Sequence, residues 1–171
     1  MKNVFVLFIS LLLFANVQPL QAQVKLKLGH INSTKLMEVM PGRDSALKVI
    51  QDYAKSLDDQ LTLMNNEFQT KYQDYLTNEA TYLEPIKQMK QKELVDLQTR
   101  IDDFKAQAQD LLSQKESELV QPLIDKAKKA IDEVAVEKGY TYIFDTGTGA
   151  LLYQQDSDDI MPFVKAKLGI Q

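Results

Sequence analysis

The sequence of 171 residues contains no cysteine and only one histidine. Without cysteine the chain forms no disulfide, offers no thiolate to a metal and has no thiol nucleophile. The single histidine, His30, leaves no His-rich metal site within one chain. No nucleophile–base pair or clustered acid–base pair is apparent either. We therefore expect no cofactor and no metal, and we expect that the protein is not an enzyme.

Long hydrophobic runs are absent except at the start of the chain. Val4–Ala15 is apolar apart from Ser10, Lys2 supplies a positive charge before it, and Ala22 places a small residue after it. This arrangement is typical of a secretory signal peptide over residues 1–22. The run is shorter than the roughly 20 residues that span a bilayer. We expect an exported, soluble mature chain with no stable membrane insertion.

Basic residues are in the minority. Beyond residue 22 the sequence has 19 Lys and Arg against 24 Asp and Glu, which gives a net charge of −5. Nucleic acids and anionic lipids repel a chain of this charge. We therefore expect no nucleic-acid partner.

Glycine and proline are missing from Arg43 to Glu84, which favours a long helix. Apolar residues here and in the following stretch recur at alternating steps of three and four, the spacing of a coiled-coil seam. Pro85 suits the first turn of a second helix. The sequence thus predicts an antiparallel helical hairpin, the arm, over residues 42–121 with its tip near 77–85. The arm seam comprises Leu47, Ile50, Leu57, Leu61, Met64, Phe68, Leu94, Leu97, Ile101, Phe104 and Leu111.

Both ends of the mature chain, residues 23–41 and 122–171, predict a small α+β base beneath the arm. Val24–Ile31 alternates apolar and polar residues and predicts a half-buried strand. Tyr140–Phe144 and Ala150–Tyr153 predict two further strands joined by a glycine-containing turn. The expected fold class is therefore mostly α with a small β part.

Helix ends in the base are marked by proline, glycine and aspartate. Pro122 is predicted to kink or restart the returning helix. Gly139 is predicted to end that helix, and Asp158 or Asp159 to cap a last one.

The base holds only about 70 residues and no disulfide, so it buries a limited fraction of its surface. A three-stranded sheet also leaves open edges. These features predict association through the base, and the sheet supplies the interface candidates. They are Leu26, Leu28, Ile31, Tyr142, Phe144 and Leu151.

Three segments resemble the Skp/OmpH family of periplasmic chaperones. Lys27–Asn32 is similar to the opening strand of that family, and Asp159–Gly169 fits its ending. Pro122–Ala135 followed by Glu137–Asp145 resembles its most characteristic segment. The segments occur in the family's order, and the resemblance covers essentially the whole mature chain.

The resemblance implies a homotrimer whose pooled bases carry three arms around a cavity. It further implies a periplasmic holdase that cages unfolded outer-membrane β-barrel proteins without ATP. Familiar members are basic, whereas this chain has a pI of about 5.1. The resemblance therefore does not extend to binding of lipopolysaccharide or anionic membranes.

Client contact requires apolar side chains of the arm that the seam does not use. Many weak contacts of this kind, made together, would hold an unfolded chain. Scattered surface apolar residues are the alternative interpretation, because such residues are normal on soluble proteins. The client-contact candidates are Val49, Leu63, Leu76, Tyr82, Leu83, Met89, Val95 and Leu112.

A second function class stays open at this point. A structural coiled-coil adaptor of the cell envelope would use the same hairpin to dock one fixed partner. It would be selective for that partner and would show no general suppression of aggregation.

Asp145-Thr146-Gly147 spells the triplet of aspartic proteases. Such a site needs two carboxylates that share a proton, and this chain has a single copy of the triplet. We therefore interpret it as a turn between strands.

Overall fold

The computed structural model describes residues 26–170. Within them the expected fold class is confirmed, since long helices dominate and one two-stranded sheet is present. The predicted signal peptide over 1–22 and the start of the strand predicted over Val24–Ile31 lie outside the described residues. The elements are β1 (Leu28–Ile31), α1 (Ser33–Glu38), α2 (Arg43–Asn78), α3 (Glu84–Lys138), β2 (Tyr142–Asp145) and α4 (Met161–Leu168).

Helices α2 and α3 form the arm. Gly42 precedes α2 with a φ of 92°, a left-handed conformation that glycine adopts without steric strain. A 3-10 turn, Glu79–Thr81, joins α2 to α3 and lies inside the predicted tip. Pro85 lies in the first turn of α3, where its missing N–H leaves no helical bond unmade. With 36 residues, α2 extends about 54 Å at 1.5 Å per residue.

Helix α3 passes from the arm into the base without interruption. One helix of 55 residues runs through Pro122, so the predicted restart is wrong, while the alternative of a kink stays a prediction. Proline removes the hydrogen bond to the carbonyl four residues earlier, that of Glu118, and its ring crowds the same carbonyl. Both residues are exposed, so water can solvate the freed carbonyl. The rest of the helix keeps its own bonds.

The sheet consists of β1 and β2, paired in parallel from Leu28 opposite Tyr142 to Ile31 opposite Asp145. The connection between the two strands is the entire arm. On the other side of β1, the Ile160 N–H donates to the His30 carbonyl over 2.9 Å. The strand β1 is therefore flanked on both sides, and β2 on one.

A third strand over Ala150–Tyr153 is absent, and that prediction is wrong for the single chain. The physical reason is the route of the chain after β2. The carbonyl of Gln155 is bonded to His30, and Asp159 bridges to His30 on the far side of β1. The segment therefore moves away from the open side of β2 instead of folding back along it.

The base has one apolar core between the sheet, α1, α4 and the last part of α3. Gly29 allows close packing there, since a Cβ at this position would lie 2.8 Å from the Tyr140 ring. Lys167 ties α4 to α3 through Glu133 and Glu137. The buried core residues are Ile31, Leu36, Met40, Ala127, Ala130, Val134, Ile160 and Val164.

Caps define the helix ends in the base. The Asn32 side chain accepts from the N–H of Lys35 over 2.9 Å at the start of α1. Gly139 ends α3 with a φ of 69°. The expectation of an aspartate at the N-cap of α4 is wrong, because Ile160 occupies that position. Asp159 still accepts from the N–H of Met161 over 2.8 Å, so its carboxylate serves the same helix end.

Candidate functional site

The apolar core of the arm is thin. Met64, Leu97 and Ile101 are its buried residues, and Leu61, Phe68 and Phe104 pack around them. The remaining seam residues, Leu47, Ile50, Leu57, Leu94 and Leu111, are half-buried. A two-helix arm can bury only one stripe of each helix, so its other faces remain in water.

Near the tip, polar side chains supplement the apolar core. Lys71 pairs with Glu93 across the two helices, and Lys90 pairs with Asp74 over 3.8 Å. The hydrogen bond from Lys71 lowers the pKa of Glu93, and the same bond raises the pKa of Lys71. These pairs join α2 and α3 across the distal part of the arm.

Tyrosines close the tip itself. Gln91 donates to the Tyr75 hydroxyl over 2.7 Å, and that hydroxyl donates to Glu79 over 3.0 Å. Tyr82 donates to Asp74 over 3.1 Å, and its ring centroid lies 6.4 Å from that of Tyr75. The loop is therefore anchored to both helices, and the apolar residues beside it are presented on a fixed backbone.

Six of the eight client-contact candidates are exposed, and two are half-buried. Tyr82 and Leu112 are the half-buried ones. The exposed candidates are concentrated toward the tip, where Leu83 is 75 % exposed. The six are Val49, Leu63, Leu76, Leu83, Met89 and Val95.

Two further apolar residues near the tip are exposed, although the sequence analysis did not propose them as client contacts. Tyr72 has seam spacing but is 47 % exposed, with its ring stacked 6.0 Å from that of Phe68. Ile86 is exposed in the first turn of α3. Its position directly after Pro85 was the available signal, because the first turn of a helix at a hairpin tip has little to pack against. Large exposed apolar residues thus recur from 72 to 95, whereas the rest of the arm has only Val49 and Leu63.

Half-way down the arm, the seam contains a shallow cleft. Ala54 and Ala108 line it together with Leu57, Leu61 and Leu112, and its volume is ≈ 170 Å³. Two alanines leave space that larger seam residues fill elsewhere.

The sheet presents an apolar face away from the base core. Paired residues of a parallel sheet lie on the same face, so Leu28 and Tyr142 lie together, as do His30 and Phe144. Leu28, Tyr142 and Phe144 are exposed.

Two interface candidates are placed differently. Ile31 is 2 % exposed inside the chain's own core and is therefore unavailable to a partner. Its burial follows from its register, because it lies on the opposite face of the sheet from Leu28. Leu151 is half-buried in the loop after β2, and Leu26 is exposed ahead of β1.

The Asp145-Thr146-Gly147 triplet forms a turn. Asp145 accepts from the Ser33 N–H over 3.0 Å, from the Ser33 hydroxyl over 2.5 Å and from the Gly147 N–H over 2.8 Å. Burial acts to raise the pKa of Asp145, but the bonds from Ser33 and Gly147 outweigh it and lower that pKa. The carboxylate therefore joins the end of β2 to the start of α1.

His30 is buried and has a structural partner. Its Nε2 lies 2.8 Å from the carbonyl oxygen of Gln155. Because a carbonyl only accepts, Nε2 carries the proton in this contact. Within residues 26–170 no group of three or more His, Asp and Glu side chains is arranged to hold a metal.

The chain belongs to the OmpH-like family of outer membrane proteins. The family profile, described as "Outer membrane protein (OmpH-like)", matches residues 27–168. The resemblance identified from the sequence is therefore confirmed. A search of curated proteins finds no match. Among the helices that the structure describes, none has the length and apolar character needed to cross a membrane.

The fold is similar to that of a solved protein from Caulobacter crescentus. That crystal structure is described as a candidate outer membrane chaperone of OmpH-like type. The TM-score is 0.73 at 11 % identity, and the alignment covers 84 % of this chain and 83 % of the other. At this identity the similarity establishes the fold.

Proposed function

We propose that this protein is a periplasmic, ATP-independent holdase that keeps unfolded outer-membrane β-barrel proteins from aggregating. It acts as a homotrimer, with arms that enclose the client between them, and it catalyses no reaction. One observation carries the proposal: exposed apolar side chains recur near the end of a long arm whose tip is fixed by polar bonds. Family membership and the similarity to the Caulobacter crescentus protein support it.

Containment is the proposed mechanism. Each arm is a closed pair of helices, so neighbouring arms have no further apolar seam with which to merge, and a gap between them persists. An unfolded chain in that gap contacts Leu83, Met89, Val95 and their neighbours, each weakly. Many weak contacts acting at the same time retain the client, although each single contact dissociates quickly. Release then needs no nucleotide once the client inserts more favourably into a membrane.

Residues near the tip suit non-specific contact for a chemical reason. The thioether of Met89 is flexible and polarisable, so it adapts to varied apolar surfaces. The Tyr82 ring is fixed by its bond to Asp74 and offers a rigid apolar face. Because the backbone at the tip is already ordered, binding of a client costs less conformational entropy there.

The test is light scattering of an unfolded outer-membrane β-barrel protein diluted from urea, without nucleotide. We expect the mature protein to suppress the scattering. The triple variant Leu83→Ser, Met89→Ser and Val95→Ser should lose most of that suppression. Val136→Ser is the control, because Val136 is exposed on the base part of α3.

Three results would contradict the proposal. They are no suppression by the unmodified protein, full suppression by the triple variant, and equal loss in the triple variant and the control. Selective binding of one folded envelope protein, without suppression of aggregation, would instead indicate the adaptor function.

A further inference from the structure

The two flanks of the arm, on either side of its seam, differ in charge. Residues at steps of three and four form a row along one side of a helix, because an α-helix turns by about 100° per residue. On one side of the seam, Glu67 and Lys71 belong to such a row of α2, and Glu93 belongs to a row of α3. Both rows line one groove of ≈ 410 Å³, and all its lining residues except Met89 and Leu97 are charged. We call this side of the arm the charged flank.

The other flank is formed by the rows on the opposite side of the seam. In α2 this row contains Asn65, Tyr72 and Leu76, and in α3 it contains Leu94 and Gln98. The ion pair that joins the two charged rows places them on the same side of the arm, so these rows share the remaining side. None of these residues carries a charge. We call this side the neutral flank.

The shallow cleft half-way down the arm lies on the neutral flank. Ala54, Asp58 and Leu61 line it, and they continue the α2 row of Asn65 toward the base at steps of three and four. Asp58 and Lys105 are the charged residues of the cleft lining, and their charges are opposite. The cleft and the neutral rows therefore form one continuous surface.

Other charged side chains that border this surface have partners of their own. Asp102 accepts from Gln98 over 3.2 Å, and near the tip Lys87 pairs with Glu79 over 3.7 Å. An apolar segment laid along the neutral flank would remove few charges from water. On the charged flank it would cover a whole row of them, which costs free energy.

The length of the neutral flank matches one kind of segment. From Ala54 to Leu76 it measures about 33 Å, at about 1.5 Å per residue of helix. An extended chain covers this distance with about ten residues, at about 3.3 Å each. A strand that spans the outer membrane has about 9–11 residues.

We propose that the neutral flank binds one transmembrane strand of an unfolded outer-membrane β-barrel protein in extended form. This inference rests on the proposed function and adds selectivity to it, because the scattered apolar residues of the tip hold any unfolded chain. Transmembrane strands alternate apolar and polar residues and carry aromatic residues near their ends. The cleft of ≈ 170 Å³ accepts an aromatic ring, since a cavity of about 150 Å³ binds benzene. Tyr72 and Leu76 are exposed farther along the flank and contact the remaining apolar side chains.

Two peptides test the preference for a strand. The probe is an uncharged, fluorophore-labelled peptide of about ten residues that alternates apolar and polar side chains and has phenylalanine at one end. The reference peptide has the same composition, with its apolar residues in one block. Alternate side chains of an extended chain point to the same side, so only the probe directs all its apolar residues to the flank. Fluorescence anisotropy with the mature protein should show at least about tenfold tighter binding of the probe.

Charge substitutions locate the contact. Asn65→Lys with Gln98→Lys places two charges on the neutral flank and should weaken binding of the probe at least about tenfold, because the bound peptide desolvates them. Asn66→Lys with Thr99→Lys is the matched control, one residue farther along each helix and also exposed. Because these positions face away from the seam, the control should leave binding unchanged. Both variants should keep the circular dichroism of the unmodified protein.

Protection of a cysteine measures the same contact without added charge. The natural chain contains no cysteine, so Asn65→Cys and Asn66→Cys each provide a single site for a maleimide. The probe peptide should slow labelling of Asn65→Cys and leave labelling of Asn66→Cys unchanged.

Three results would each overturn this proposal. They are equal affinity for the two peptides, equal affinity of the flank variant and its control for the probe, and equal protection of the two cysteines. The scattering assay with a whole client keeps this test separate from that of the holdase. Suppression of aggregation without a preference for the alternating peptide contradicts only the role of the neutral flank, whereas no suppression by the unmodified protein contradicts the holdase function.

Discussion

The base and the arm of this protein are stabilised by different means. In the base, Leu36, Val134, Ile160 and Val164 are almost wholly enclosed, each at 2 % exposure or less. In the arm core, Leu97, Ile101 and Met64 keep 3 %, 5 % and 9 % of their surfaces in water. An enclosed core needs elements on several sides, and a pair of helices supplies only one. The arm therefore remains extended, and its outer faces are available for contact with other molecules.

Charge separates the two regions as well. Residues 42–121 carry ten basic and fifteen acidic residues, whereas residues 23–41 and 122–171 carry nine of each. The arm thus holds all the net negative charge of residues 23–171. In the proposed trimer, surfaces of like charge would repel one another, which favours separation of neighbouring arms over their collapse. A neutral base removes that obstacle where copies are proposed to meet.

The largest expected effect comes from placing charge in the arm seam. Leu57→Asp combined with Phe104→Asp puts two carboxylates into half-buried apolar positions, which should destabilise the arm by about 2 kcal/mol or more at each site. We expect the helices to separate, part of the circular dichroism signal at 222 nm (the far-ultraviolet helix band) to disappear, and holding to be abolished.

A matched variant isolates the position of those charges. Gln60→Asp with Gln107→Asp adds the same two carboxylates at exposed positions of the same helices. It should keep both the helicity and the holding activity. If the seam variant suppresses aggregation as well as this control does, the proposal that the arm holds the client is wrong.

A smaller effect is expected from the half-buried carboxylate of Asp145 in the base. Asp145→Asn removes the charge that accepts three bonds from Ser33 and Gly147, and should lower the free energy of unfolding by about 1–3 kcal/mol at pH 7. The pKa of Asp145 is lowered in the folded chain. Its stabilisation is thus complete above the unfolded pKa of about 3.9 and is lost as the pH falls through the folded value.

Urea denaturation between pH 7 and the acid limit of folding measures this contribution. The difference between the unmodified chain and Asp145→Asn should shrink at the acid end. Asp156→Asn is the control, because Asp156 is exposed. Equal stability of Asp145→Asn and the unmodified chain at pH 7 would show that the bonds to Asp145 contribute nothing net.

The smallest effect is expected from the half-exposed ion pair of Lys71 and Glu93 in the arm. Glu93→Gln removes the partner of Lys71, and the melting temperature should fall slightly at low ionic strength. The difference should vanish in about 1 M salt, where charges are screened over roughly 3 Å. Glu116→Gln is the comparison, because Glu116 is exposed and has no ion pair within residues 26–170. A loss that persists at high salt would indicate packing by the Glu93 side chain instead of charge.

The helices could be predicted from the sequence because their signals are local. The steps of three and four along the seam, Pro85 at the start of α3 and Gly139 at its end are each read within a few residues. A helix satisfies its backbone within its own segment, so local signals suffice. The family resemblance supplied the order of the elements.

The predictions failed where residues distant in sequence determine the local structure. Ala150–Tyr153 has the composition of a strand, but a strand needs a neighbour, and the bond of Gln155 to His30 directs the segment elsewhere. In the sequence, Pro122 predicts an interruption of the helix. Helix α3 nevertheless continues, because packing in the arm and in the base stabilises it on both sides of the proline. The exposure of Tyr72 depends on which turn of α3 lies opposite, and the spacing of one helix does not contain that information.

Helix α3 connects the base to the tip of the arm as one continuous helix. Its first part holds the arm through Leu97 and Ile101, and its last part lies in the base core through Ala130 and Val134. The portion from Glu84 to Gln121 is about 57 Å long, so a rotation of about 5° in the base displaces the tip by roughly 5 Å. In the proposed trimer, small adjustments of packing around Val134 would therefore change the distance between the tips of the arms.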